Sequence, residues 1–285
     1  MDTQPTPVPV LMGGGIPLTV PTVDNMKLNM LIWGDSGAGK TTLAATAPGN
    51  KLFLMLDPGG ELSLAGRSDV AMLGVGAEGA TKMLAQFNTA DPYGIGKIFE
   101  ARPDLETLVV DSLTTFAYVA LQNSVTINKS TMERPGMHGY TYRNASVLRA
   151  TMTLFRLCAA HNRNLILITH EGSADRNSDG VITSVTMALS EGTANQVGLK
   201  FNEVWHLSDT GTERRIAVRP CRLRKPMKTR LFLSKEPEFI WHYDADNQIG
   251  EGIADWYHAW QTSGGKKLPL PVRAVSTPSR TGGQR

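Results

Sequence analysis

The sequence predicts an α/β fold: a mainly parallel sheet flanked by helices, with an antiparallel β extension towards the C-terminus. Three observations carry this. Nearly continuous apolar runs of five or six residues recur at 28–33, 51–56, 107–111 and 165–169, the pattern of strands buried on both faces. Helical spacings lie between them, as crossover connections require. Beyond residue 169 the apolar runs shorten and polar turns separate them, more meander than crossover.

The first strand, 28–33, leads through a glycine-rich turn into a short helix over 41–47, which Pro48 and Gly49 stop. Strand 51–56 follows, then amphipathic helices over 79–87 and 113–125 on either side of strand 107–111. Over 147–161, Leu148, Met152, Phe155 and Ala159 recur three and four apart and share one face. After strand 165–169, shorter strands are expected at 181–189, 203–207, 215–218 and 230–233. A last helix, 253–261, carries Trp256, Tyr257 and Trp260 and is expected to dock on the sheet.

Composition narrows the class. The chain has 285 residues, 41% hydrophobic and 19% charged, enough for one large core and too apolar for a disordered protein. No apolar run approaches the roughly 20 residues a bilayer needs. The N-terminus, acidic and broken by Pro5, Pro7, Pro9, Pro17 and Pro21, does not resemble a secretory signal. Two cysteines, Cys158 and Cys221, exclude a disulfide framework and a four-cysteine zinc site; a reducing, cytoplasmic setting is expected. The net charge of +3 resides in the end of the chain, where Lys266, Lys267, Arg273, Arg280 and Arg285 meet no acid. We therefore expect a flexible extension over 1–26, a folded domain over 27–262, and a basic flexible tail over 263–285. The tail is either solubilising or an arm that adds salt-dependent affinity for nucleic acid.

The most specific signal is Gly34, Asp35, Ser36, Gly37, Ala38, Gly39, Lys40 and Thr41, a full match to G-x-x-x-x-G-K-[ST], with Thr42 next. Glycines let successive backbone N–H groups curl around phosphate oxygens. Lys40 supplies a point charge to the outer phosphates, and Thr41 a hydroxyl for Mg²⁺. A second magnesium group is expected at the end of another buried strand, and Asp111, after Leu108, Val109 and Val110, fits.

Ser112, not glutamate, follows that acid. In this the chain resembles the RecA-like P-loop NTPase core, and more narrowly the phage-encoded RecA-like ATPases of single-strand annealing and recombination, AAA-type nucleotide-binding proteins. The resemblance covers roughly residues 27–245 and includes 54–61, 165–171 and 192–207. It implies ATP and Mg²⁺ as ligands, a water-activating acid after the second strand, and a γ-phosphate sensor at His170, followed by Glu171; a histidine at the sheet's edge satisfied by backbone is the alternative for His170. At the expected acid the chain carries Gly59; Glu61 and Asp57 are the alternatives, and weak or absent hydrolysis is the third outcome.

The resemblance also implies DNA contacts near 172–181, whose one cation is Arg176; a plainly solvated loop is the alternative. Segment 129–143 joins Tyr140 and Tyr142 to Arg143, the ingredients of base stacking beside phosphate-tracking cations, unless the tyrosines tuck beneath the next helix. The densest basic run is Arg219, Arg222, Arg224, Lys225, Lys228 and Arg230. A solvated hairpin face is the default reading of such a run; the resemblance makes Arg222 and Arg224 candidates for cations that act on a neighbouring subunit's phosphates, and DNA is the competing target. The expected partners are single-stranded DNA, other copies in a head-to-tail oligomer or filament, and a single-strand-binding protein, with no membrane. Alternatives are an NTP-driven motor or loader in DNA packaging or replication, and an annealing protein that binds ATP with little hydrolysis.

Overall fold

The computed structural model describes residues 22–271 except 222, 234 and 235, together with the backbone of a small antiparallel pair at Met12–Gly13 and Ile16–Pro17. Among the described residues eight strands form one sheet. They are β1 (Asn29–Gly34), β2 (Asn50–Met55), β3 (Val70–Gly74), β4 (Leu105–Asp111), β5 (Asn164–His170), β6 (Glu203–Asp209), β7 (Arg214–Ala217) and β8 (Glu238–Trp241). Their spatial order is β8–β7–β6–β1–β5–β4–β2–β3. The pairings from β6 to β3 are parallel, and β7 and β8 are antiparallel additions at one edge. The α/β architecture read from the apolar runs is the one observed.

The helices are α1 (Lys40–Ala44), α2 (Ala80–Phe87), α3 (Ile95–Ala101), α4 (Leu113–Asn128), α5 (Gly136–Ala160), α6 (Glu191–Gly198) and α7 (Ile253–Thr262). Strand alternation sorts them into two layers. Leu31, Trp33, Leu52, Leu54, Leu108 and Val110 face a core shared with α2 to α6. Met30, Ile32, Phe53, Val109, Ile166 and Ile168 face a core shared with α1 and α7. Since both faces are covered, the central strands carry no polar alternation.

Several expectations are corrected. The short strand at 203–207 is β6, parallel to β1 and reached through α6 rather than by a meander; Val204, Trp205 and Leu207 are buried because it lies inside the sheet. Segment 230–233 forms no ladder strand. The amides of Arg230 and Leu231 donate to the Glu203 carboxylate, at 2.6 and 3.1 Å, instead of to a neighbouring strand. Of 181–189 only Ile182–Ser184 is a strand, paired with Asp175–Arg176. The loop at 129–143 is half helix, since α5 starts at Gly136 and runs 25 residues; its first turns carry no apolar stripe for periodicity to find. The edge strands β3 and β8 were not expected, and β3 is only partly buried.

The ends of the domain also differ from the composition boundaries. The Tyr257 hydroxyl donates to the Met26 carbonyl at 2.5 Å. Residues 263–271 lie against the body: the Leu268 amide donates to Leu231 O at 2.7 Å, and Leu270 is buried. The parts of the two extensions at 1–11 and 272–285 lie outside the described residues.

Candidate phosphate-binding site

Strand β5 lies between β1 and β4, so the carboxyl ends of β1, β5, β4 and β2 form one row. That edge is where open α/β sheets place ligands. It gathers the 34–42 loop after β1, His170 at the end of β5, Asp111 at the end of β4 and Asp57 just beyond β2. Gly34 lets β6 close against the start of the loop. Its φ is 153°, and a Cβ there would stand 1.9 Å from Leu207 O of β6; only glycine allows that approach.

The result is a cavity of about 360 Å³ lined by the loop, Asp57 to Gly60, Ser63, Asp111, His170 and Arg214. Lys40 is 5% exposed, and its Nζ donates to the Asp35 carbonyl at 2.6 Å. Burial lowers its pKa, with Asp111 the largest opposing influence. The Thr41 hydroxyl donates to Asp111 Oδ2 at 2.6 Å, and Asp111 is 3% exposed. Burial raises the Asp111 pKa despite that hydrogen bond. A hydroxyl and a carboxylate held together in a cavity are hard oxygen donors of the kind magnesium takes, so Thr41 and Asp111 fit the expected metal.

Asp57 is the acid of the second strand that enters this cavity. Its carboxylate accepts from Ser112 Oγ at 3.0 Å and from Thr115 Oγ1, and its Oδ2 lies 2.8 Å from His170 Nε2. Burial works against its charge, but the hydrogen bonds, His170's foremost, hold its pKa below the usual carboxylate value. Glu61 does not share the cavity. It is exposed on the 3-10 turn Gly60–Leu64 and lines a neighbouring hollow with Met55 and Met72. Glu171 turns to the other side of β5 and meets His206 Nε2 at 2.6 Å.

The more distant candidates are dispersed. Tyr140 is 44% exposed on α5, with the Arg143 guanidinium 5.1 Å from its ring centre. Tyr142 packs on the core, and its hydroxyl accepts from Asn123 at 3.4 Å. Arg176 is exposed, and its Nη1 donates to Gly180 O at 2.7 Å. Arg224 is ion-paired with Glu238 at 2.8 Å, and Arg222 lies outside the described residues. The sequence reading missed Arg214, which lines the cavity from β7, and the Ser112–Thr115 pair that grips Asp57. The signal for Arg214 was a cation just past the turn at Thr210, Gly211 and Thr212, after the strand expected at 203–207.

Comparison with known proteins follows the same line. A protein-family model described as an AAA domain matches residues 26–231. No curated protein matches the chain. Among the described residues no helix is long and apolar enough to cross a membrane.

Proposed function

The chain belongs to the AAA-domain family of P-loop ATPases, and on that premise we propose that it is a RecA-like protein that binds Mg–ATP through residues 34–42, hydrolyses it, and acts on single-stranded DNA. A phage-encoded recombination or annealing protein in the host cytoplasm is the setting we infer. The observation that carries the nucleotide part is the 2.6 Å contact between Thr41 and Asp111 in the cavity that also holds buried Lys40.

In this reading the loop amides of residues 34–42 cradle the inner phosphates, and Lys40 places its charge against the outer ones. Thr41 and Asp111 would hold magnesium, which would supply positive charge to offset that of the outer phosphates. Asp57 and His170 form the polar pair that orients water, because Glu61 opens onto the neighbouring hollow. A group in that role must come within about 3 Å of the water, directly or through another water. His170 also ends the strand that leads into the 172–190 segment, whose return is tied to it by Ala188 N donating to His170 O at 2.9 Å. Nucleotide state at His170 would thereby bias that segment, and ATP and DNA would raise each other's affinity by one common factor. Tyr140, with Arg143 over its ring, and Arg176 are the exposed groups assigned to single-stranded DNA. Head-to-tail assembly and a single-strand-binding partner belong to the same proposal.

The test is ATP hydrolysis by the purified chain with and without single-stranded DNA, beside Lys40→Ala. Stimulation that vanishes in the variant supports the proposal; a rate indifferent to DNA removes its DNA part and favours a motor or loader. The one observation favouring a second reading is Gly59 where the acid was expected. If the chain anneals strands and Lys40→Ala anneals equally well, the nucleotide site is not needed for annealing.

A further inference from the structure

Arg214 opens β7. Because β7 runs antiparallel to β6, its first residue stands beside the last residue of β6, Asp209, at the carboxyl edge of the sheet. Leu207, two residues earlier on β6, is level with Gly34, so Arg214 stands alongside the start of the phosphate loop. Side-chain alternation puts Arg214 on the face of Ile216, which packs in the layer of α1 and α7. Arg215 is left on the opposite face. A short hairpin thus carries one guanidinium to the loop from the flank away from Asp111.

The contacts agree with that placement. Arg214 lines the phosphate cavity with Lys40 and Thr41. A Cβ added at Gly39 would meet its Nε at 3.4 Å and its Cδ and Cζ at 3.5 Å. Its ion pair, to Asp209, is long at 3.4 Å, with both side chains about a third exposed, a weak type of pair. The other arginines of this flank are more firmly held: Arg215 meets Glu213 at 2.9 Å and Glu238 at 3.0 Å, and Arg224 meets Glu238 at 2.8 Å.

We propose that Arg214 contacts the terminal phosphate of a bound nucleoside triphosphate in cis, so that a single chain distinguishes triphosphate from diphosphate without a neighbouring subunit. The inference rests on the nucleotide reading above. The loop amides enclose the inner phosphates, which leaves the outer oxygens to side chains at the cavity wall, where Arg214 and His170 stand. A planar guanidinium fork suits two such oxygens. Asp209 holds that fork beside the cavity and gives it up when an anion of higher charge arrives.

The experiment is calorimetric titration of the full chain with ADP and with a non-hydrolysable ATP analogue, in the presence of magnesium. For Arg214→Ala the analogue binds about 10- to 100-fold more weakly, the range of a charge-assisted hydrogen bond, while ADP affinity barely changes. Arg214→Lys recovers part of the loss. Asp209→Asn, which removes the competing carboxylate, tightens the analogue by up to about fivefold. Adding Lys40→Ala chains to Arg214→Ala chains restores nothing. The proposal is overturned if Arg214→Ala changes neither affinity or lowers both equally, if Asp209→Asn weakens the analogue, or if the mixture recovers discrimination, since recovery means the arginine acts in trans. Wild-type chain that binds neither nucleotide overturns the nucleotide reading and this inference together.

Discussion

Asp111 and Glu203 are carboxylates buried to nearly the same degree, 3% and 1% exposed, at opposite ends of the sheet. Asp111 closes β4, and among the described residues its carboxylate receives one side-chain hydrogen bond, from Thr41. Glu203 opens β6 and receives four, from Trp205 Nε1, Thr229 Oγ1 and the amides of Arg230 and Leu231. Burial raises the pKa of both. The difference lies in what faces them. Glu203 is a clamp that fixes the 229–231 segment to the sheet. Asp111 is left short of donors at the wall of a cavity that also holds Lys40. A buried charge whose hydrogen bonds are complete builds the fold, whereas one left incomplete beside a cavity awaits a ligand.

The comparison breaks most visibly in kinetics. Lys40→Ala and Asp111→Asn should each slow ATP hydrolysis about 10²- to 10³-fold, the scale for losing one charge-stabilising group, while Glu203→Gln leaves the rate near wild type. Steady-state phosphate release measures this, and a comparable collapse in a folded Glu203→Gln would remove the distinction. Asp57→Asn should lower kcat by about 10²-fold, the low end for general acid–base groups, with Glu61→Gln little changed; the reverse order would return the water-orienting role to Glu61.

Stability should sort the same residues the other way. Glu203→Gln sets an amide N–H₂ where a carboxylate oxygen accepted from Trp205 or from the backbone, and should cost about 1–3 kcal/mol in urea unfolding. Asp111→Asn removes a buried, poorly solvated charge and should leave the nucleotide-free chain as stable as before or more so.

The smallest effect concerns a third carboxylate, Asp69, which has cations for partners. It meets Lys51 at 2.5 Å and Arg67 at 2.8 Å. Burial opposes its charge, yet the hydrogen bonds from Arg67 and Lys51 hold its pKa below the usual carboxylate value. A depressed folded-state pKa contributes stability above the unfolded value, and that contribution is lost as pH falls through the folded one. Unfolding followed below about pH 4 should therefore show a flatter acid slope in Asp69→Asn than in wild type. Equal slopes would mean that Asp69 titrates alike in both states.

How much was legible in the sequence follows from the range of each interaction. The four central strands could be read because burial on both faces writes itself as an apolar run. The 34–42 loop could be read because consecutive residues make it. By contrast, α5 was read only over its apolar half, and β6 was taken for part of a meander. β6 lies parallel beside β1 because α6 crosses back and Gly34 admits the Leu207 carbonyl, which no local pattern records.

Within the site the same division holds. The sequence by itself singled out the residues proposed to grip phosphate and magnesium, Lys40, Thr41 and Asp111, since that proposal rests on residue type and local spacing. The tertiary structure alone decided that Asp57 rather than Glu61 enters the cavity, that His170 meets it at 2.8 Å, and that Arg214 reaches the loop from a hairpin. Backbone geometry is set by neighbours in the chain. Which side chains converge at a sheet edge is set by strand order and register, the sum of many weak contacts between residues far apart in sequence.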